Sequence, residues 1–540
     1  MLVRRAFRLS RTAAGFVVAG VVLSSAASAS SGAYERAARE GGTFRVAITG
    51  AFATIDPAIN PQYLLRPACA GLLNTPPKRP PAGLRFEPEL AADYPVVSRN
   101  RRTYTFTIRK DARFSTGAPV LARDVVHSLE RVFTLARQTP YLAEDLIDLV
   151  GAQAMLDGKA TRLSGAVAEG RTLILKLRKP VSDFPARASV CVVPASLPVD
   201  PEGVKAPIPS PAPYYFSELI PDERIVLERN RFYRGVRPQH VARFVLDIGS
   251  DAATIVEQVK SGDIEMAGLG GPAWAPFVSE LTQRYGVNKS QFFSVPGTFL
   301  RMFVLNTSRP LFRNNAPLRQ AVNFAVDRRA LIREFGPAAG TPTDQYLPPS
   351  LPGYRNERIY PLEAPDLRQA RALARGRTRT GKAVLYTIAN PVGIAQAQIL
   401  ERNLKAIGLD LEVVQFPAGS PLLFEKLATD RGGFDIGWIG WLLTDEGVGE
   451  IHDGRTIGQP GNRNYSYFDS PTYNRLIAAA AALPLGRARE RAYGELDVRL
   501  SRGAAPGIPY GVSNELTFVS ANVGCIVLNP SLDLNAVCLK

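Results

Sequence analysis

The chain has 540 residues, 46% of them apolar, which is too long for one ordinary domain and ample for several hydrophobic cores. Its formal net charge is +16, but the arginines are spread along the chain with no basic run of five and no interleaved aromatic platform, so nothing points to a nucleic-acid partner. Only three histidines occur (His127, His240, His452), and no HExxH, GxSxG, Walker A or GxGxxG pattern is present, which argues against an enzyme and calls for no cofactor or metal.

The N-terminus reads as a processing segment. Arg4, Arg5, Arg8 and Arg11 precede an apolar stretch, Ala13–Leu23, and a small-residue cleavage site at Ala27-Ser28-Ala29. Residues 1–29 are therefore expected to be a signal peptide, since the apolar stretch falls short of the roughly 20 residues a membrane span needs. A Sec route is expected, with the twin-arginine route as the alternative because Arg4-Arg5-Ala6-Phe7 has that core. The first cysteine is Cys69, far beyond the apolar run, so the sequence does not read as a lipoprotein. The mature protein is expected outside the cytoplasm, periplasmic or secreted. There, four cysteines imply disulfides of three conceivable connectivities. Cys525–Cys538, closing a short C-terminal loop, with Cys69–Cys191, tying the two ends of an inserted region, is the pairing favoured. No CxxC supports a zinc or redox site.

In chain order, Gly42–Thr49 reads as a strand and Ile55-Asp56-Pro57 as a turn. Thr75–Gly83 is a Pro-rich loop expected to vary in structure. Thr103–Arg109 alternates Tyr104, Phe106 and Ile108 with threonines, as a half-buried strand does. After a Gly/Pro turn at Phe114–Val120, a helix carries Leu121, Val125, Val126, Leu129, Val132 and Phe133 on one face. Arg171–Pro180 is a further strand, and Ile225–Gly235 a strand followed by a hairpin. Val241–Ile248, Ala252–Lys260 and Ser261–Glu265 give strand, helix and turn, the grammar of an α/β domain. Thr298–Leu305 is nearly all apolar apart from Arg301, as in a strand buried on both faces. Asn314 or Asn315 can cap a helix with Pro317 in its first turn and Leu318, Ala321, Val322 and Ala325 on its buried face; Asp327 caps a second. Lys382–Ile388, Ile394–Ile407 and Leu409–Gln415 form a βαβ unit, which predicts parallel pairing. Phe434–Trp441 is another strand, and Pro506–Val512 one more.

Several of these blocks carry a resemblance. Asn306, Arg319, Gln320, Ala321, Ala325, Asp327 and Arg328 stand where solute-binding proteins of the oligopeptide/dipeptide type (extracellular family 5) place a strand ending in Asn and an "RQA…A-DR" helix. Phe114–Arg131 is similar to that family's "F-x-x-G-x-P-V-x-A-x-D-V-x-x-S-L-x-R", with Leu121 replacing a common Thr, and Ile225–Gly235 carries its "E-R-N-x-x-Y-x-G". The family's usual "G-T-G-P-Y" loop is replaced by Ser210-Pro211-Ala212-Pro213-Tyr214, without either glycine. The resemblance implies an α/β, two-lobed periplasmic-binding-protein-like fold (type II-like, cluster C) with a small outer domain. Residues 41–61, 189–296 and 507–540 would form the first lobe, 62–188 the outer domain and 297–506 the second lobe. It further implies a monomer that closes by hinge motion near residues 296–298 and 506–512 on a peptide or other small solute, for delivery to an ABC permease.

Trp441 heads the candidate ligand residues. In peptide-binding relatives a Trp followed three residues later by Asp lines the cleft, and that Asp holds the ligand's ammonium. Here Thr444 stands at that spacing and Asp445 one further on. Either the loop has an extra residue and Asp445 acts, or the ligand has no free amine. Trp438, Trp274, Tyr63, Asn390 and Asn462 complete the set, each with an alternative as a core or turn residue. The competing functional readings are a sensor or chaperone-like binder without a transporter, and a secreted hydrolase with an unrecognised site.

Overall fold

The computed structural model describes residues 40–50, 54–59, 63–136, 140–269, 271–378, 381–418, 421–444, 447–459, 462–530 and 534–540, so the expected signal segment lies outside the described residues. Among them, one eleven-stranded sheet runs through the molecule. Its strands are β1 (Thr43–Ile48), β2 (Tyr214–Ile220), β3 (Arg224–Arg229), β4 (Arg243–Ile248), β5 (Met266–Gly268), β6 (Phe292–Leu305), β7 (Gly340–Pro342), β8 (Ala383–Ala389), β9 (Leu411–Pro417), β10 (Ile436–Leu442) and β11 (Gly507–Val519). The order is β9-β8-β10-β6-β11-β5-β1-β4-β3-β2, with β7 on β11.

The two ends of this sheet have separate cores. At one end β1 pairs in parallel with β4 and β5; its two faces carry clusters around Phe44, Phe244 and Leu246, and around Ile255, Trp274 and Phe518. At the other end β8 pairs in parallel with β9 and β10, over a cluster running from Leu300 to Val512. These are the two lobes. β6 and β11 are long enough to belong to both, and they pair antiparallel through the junction. Their register slips there twice: Gly297–Phe299 of β6 face the single residue Ser513, and Tyr510 of β11 is the extra residue between the partners of Arg301 and Met302. Such irregularities locally free a ladder from its hydrogen bonds and let it bend. The sequence placed the start of this strand at Thr298; it begins at Phe292, because Pro296 and Gly297, which interrupt the apolar pattern, lie within the paired strand.

The helices after the crossing follow their local signals. Helices α1 (Ala122–Thr134), α2 (Ala252–Ser261), α3 (Ala316–Ala325), α4 (Arg328–Arg333), α5 (Pro391–Lys405), α6 (Pro471–Ala481) and α7 (Arg487–Arg499) are the main ones. Asn315 caps α3 through Leu318 N–H, and Asp327 caps α4 through Ala330 N–H. The arginines of the motif are buried staples. Arg319 Nε donates to Ala504 O at 2.7 Å, and Arg328 Nε donates to Pro509 O at 2.9 Å while its Nη2 donates to Asn323 Oδ1 at 2.7 Å. Both therefore fasten the helices to the returning chain at β11.

A third core forms the outer domain: α1 packs on an antiparallel sheet of Val96–Val97, Thr103–Thr107, Thr172–Lys176 and Ala166–Glu169, with Tyr104 and Phe106 inward. Two buried ion pairs bind it to the first lobe. Arg131 reaches Asp56 with 1% and 0% of their side chains exposed, and Arg237 Nε donates to Glu89 Oε1 at 2.7 Å. Cys69 is bonded to Cys191 and Cys525 to Cys538. The glycine-free loop at Ser210–Tyr214 needs no positive φ; the Asn230 amide donates to Ser210 O and Ala212 O and holds it extended. The Pro-rich loop ends in a tight turn, Ala82–Leu84, fixed by Asn529, whose amide donates to Lys78 O and Gly83 O at 2.8 and 2.9 Å. A Cβ on Gly83 would sit 1.7 Å from Lys78 O, so glycine is required there. Among the described residues no helix is long and apolar enough to cross a membrane.

Candidate functional site

β10 ends where the two lobes meet. Its last residues, Trp441 and Leu442, lie opposite Leu300 and Phe299 of the crossing strand, and the Phe299 ring lies so close over Gly440 that a Cβ there would be 2.5 Å from it. Leu442 is 71% exposed. The Trp441 indole points to the other face and sits in an aromatic box. Tyr465 stacks on it at 6.0 Å between centroids, Phe424 lies at 5.9 Å, and the Arg463 guanidinium stands over its ring at 5.4 Å. Arg463 is in turn paired with Glu450 at 2.7 Å. The Trp441 Nε1–H is buried and has no acceptor among the described residues. An unmade bond of this kind is costly, and buried indole N–H groups usually find a partner, so the site is built to receive one.

Charged groups of the outer domain lie near this wall. Arg187 is bonded to Asp183 at 2.6 Å. Burial works to lower the Arg187 pKa, but Asp183, Asp145 and the Glu450 of the second lobe more than offset it and hold it raised. The Asp145 carboxyl, though exposed at the surface, is raised by desolvation from the protein around it, with Arg187 opposing, and it too feels Glu450 and Arg463. Charges of the outer domain and of the Trp441 wall are thus close enough to sense one another. From Arg187 a cavity of about 260 Å³ runs back toward the first lobe. Arg66, Arg131 and Arg187 line it together with Asn74, Ser128 and Pro57.

This arrangement can hold a small molecule. His452, the most perturbed histidine, is buried with its pKa lowered to about 4 by desolvation and lies edge-on to Tyr346, inside the second-lobe core.

The profile of "Bacterial extracellular solute-binding proteins, family 5 Middle" matches residues 85–446. The chain belongs to this family. Among curated relatives, the chain is similar to "Protein XP55" of Streptomyces lividans, 26% identical over 79% of this chain and 76% of that protein, and to the periplasmic oligopeptide-binding protein OppA of Escherichia coli K12, 23% identical over 76% of each chain. Among solved structures, the unliganded open form of the periplasmic murein tripeptide-binding protein MppA superposes with a TM-score of 0.75 at 20% identity, covering 93% of this chain and 98% of that one. These similarities place the chain among two-lobed family 5 binding proteins and carry the same fold.

Within that family 5 frame, the structure sorts the residues singled out by sequence. Trp441 lies in the aromatic box described above. Thr444 is exposed just beyond β10, its carbonyl accepting from Gly447 N–H, and Asp445 lies outside the described residues. Trp438, three residues before Trp441, points to the opposite face and donates to Tyr510 Oη at 2.9 Å within the second-lobe core. Trp274 is 3% exposed and packs on Phe292 in the first-lobe core. Asn390 is the cap of α5, accepting from Gly393 N–H at 2.7 Å. Asn462 accepts from Asn464 N–H at 3.0 Å in a turn that sets its neighbour Arg463 beside Trp441. Tyr63 opens the turn Tyr63–Ala68, and its side chain lies outside the described residues. Phe424, Tyr465, Arg463, Glu450 and Arg187 were not found by sequence. They come from separate segments with no shared spacing, and only the placement of Arg463 between two turn asparagines hinted at one of them.

Proposed function

We propose that the protein captures a peptide or a similar small solute between its lobes and delivers it to an ABC permease, acting as a monomer outside the cytoplasm after removal of residues 1–29. The observation that carries this reading is the buried indole N–H of Trp441, which has no acceptor among the described residues and sits in an aromatic and charged wall near charged groups of the outer domain. The two register slips in β6 and β11 supply the place to bend, near residues 296–298 and 506–512. The lobes divide as 41–61, 189–296 and 507–540 against 297–506, with 62–188 outside. Peptides are favoured because the relatives include oligopeptide and murein-peptide binders. In that case Asp445 takes the ammonium, one residue later than the family's usual spacing.

Native mass spectrometry of the purified protein, followed by a thermal-shift screen of di- to pentapeptides and oligosaccharides, tests the reading. A true solute raises the unfolding midpoint with concentration as RT ln(1 + [L]/Kd). Trp441→Ala should abolish the rise while leaving the unliganded midpoint within a few degrees. A rise that survives this substitution would move the site elsewhere.

A further inference from the structure

The outer domain, fused to the first lobe, also reaches the second. Arg85 makes a two-pronged ion pair with Glu490 of α7, Nε to Oε1 at 2.7 Å and Nη2 to Oε2 at 2.8 Å. Leu84, beside it, packs on the second-lobe core. A second hold lies nearby: Arg489 Nη1 donates to Ser182 Oγ at 2.6 Å, Ser182 donates to Ala481 O, and Arg101 donates to Ala482 O. None of these residues belongs to the Trp441 wall. The segment that carries Arg85 is the Pro-rich loop, tied at its root by Asn529 of the C-terminal segment to the first lobe.

The quality of this contact differs from that of a permanent junction. Cavities of about 360 Å³ and about 500 Å³ flank it, one between Tyr94–Tyr104 and Ala482–Leu485, the other around Arg85, Tyr354, Arg355 and Arg491. The Arg85 side chain is still 35% exposed. Water already reaches the guanidinium, so the Arg85 half of the pair is rehydrated at little cost on separation, while the Glu490 side chain is only 11% exposed. A bidentate guanidinium–carboxylate pair nevertheless fixes one relative orientation of the two bodies.

We infer that the loop carrying Leu84 and Arg85 is a strap that latches onto α7 when the lobes close and lets go when they open. Its role is to bias the closed state from a point remote from the solute. The apparent solute affinity is scaled by the closed fraction, so the strap tunes affinity without touching what is bound. This rests on the lobe closure proposed above.

Single-molecule energy transfer between dyes at Glu257→Cys on α2 and Glu401→Cys on α5 tests it without any solute. All four native cysteines are in disulfides, so the labels are unique. Two distance populations are expected. Arg85→Glu should raise the open-to-closed ratio about fivefold or more, the scale of one partly exposed ion pair, and the exchange Arg85→Glu with Glu490→Arg should restore the original ratio. Raising the salt concentration should mimic Arg85→Glu in the wild type and have less effect in that variant. A thermal melt of each variant confirms that it is folded. Two populations with a ratio that Arg85→Glu leaves unchanged, or that the exchange fails to restore, would remove the strap while leaving lobe closure standing. A single unchanging distance in all the proteins would remove closure and strap together.

Discussion

The outer domain has two junctions, and they are built differently. Toward the first lobe it is joined by Arg131 with Asp56 and Arg237 with Glu89, all four almost wholly buried, and by the Cys69–Cys191 bond. Arg237 also donates to Arg66 O and Cys69 O, so its guanidinium is fully engaged. Toward the second lobe the contacts are mainly polar, with Leu84 as the apolar exception, and they are rimmed by cavities that leave Arg85 35% exposed. A buried pair strongly resists being broken because each half leaves an uncompensated charge behind, whereas a wet pair exchanges readily with water. The outer domain is thus mechanically part of the first lobe, and only its edge negotiates with the second.

The strongest way to break this comparison is to remove one member of a buried pair. Glu89→Ala strands Arg237 without its carboxylate and should cost about 3–5 kcal/mol in urea unfolding, and Asp56→Ala should do the same to Arg131. Replacing Glu89 and Arg237 together with methionine should recover much of the loss. A cost under about 1 kcal/mol for either single change would make the two junctions equivalent. Next in size, replacing Cys69 and Cys191 by serine should destabilise by about 2–4 kcal/mol. The sequence separation there is 122 residues against 13 for Cys525–Cys538, so the C-terminal pair should matter less.

A third kind of polar burial, inside the second lobe, sharpens the contrast. Asp497 of α7 is buried without an ion-pair partner among the described residues, accepting instead from Gln345 Nε2 at 2.8 Å and Tyr346 N–H at 2.9 Å. Desolvation pushes its pKa up to about 7, only partly opposed by those hydrogen bonds. With the folded value above the unfolded one, its contribution is fully present below about pH 4 and is lost as pH rises through 7. Raising the pH from 5 to 8 should therefore weaken the wild type by about 2–3 kcal/mol relative to Asp497→Asn, read as the difference between their unfolding curves. The smallest effect is expected at the strap: Glu490→Ala should change global stability by less than about 1 kcal/mol. A much larger loss in the same assay would show the strap to be a structural joint.

Local chemistry was readable from the sequence wherever it acts within a few residues. Asn315 and Asp327 cap the helices they precede, and the βαβ unit gave the parallel pairing of β8 with β9. Boundaries slipped where the backbone tolerates what composition warns against: β6 runs through Pro296, which still pairs with Asn514, and through Gly297, which falls in the register slip that follows. Long-range roles were invisible. Nothing near Arg319 or Arg328 reveals that they hold carbonyls at Ala504 and Pro509, and nothing in the charged helix α7 marks Asp497 as buried. The candidate site was half legible for the same reason. Trp441 was singled out, but its neighbours Tyr465 and Phe424, and the outer-domain Arg187, come from distant segments. Trp274 and Trp438 looked alike in sequence and proved to be interior packing.

The pairing of Met266 with Val519 has one more effect. The second lobe is a continuous stretch, but the first depends on a strand near the end of the chain to flank β5. During synthesis the second lobe can assemble as soon as it has emerged, while the first must wait with an exposed sheet edge until the far end of β11 has been made. A truncation that removes only the final thirty or so residues therefore deprives the earliest-made part of the protein of its finishing strand.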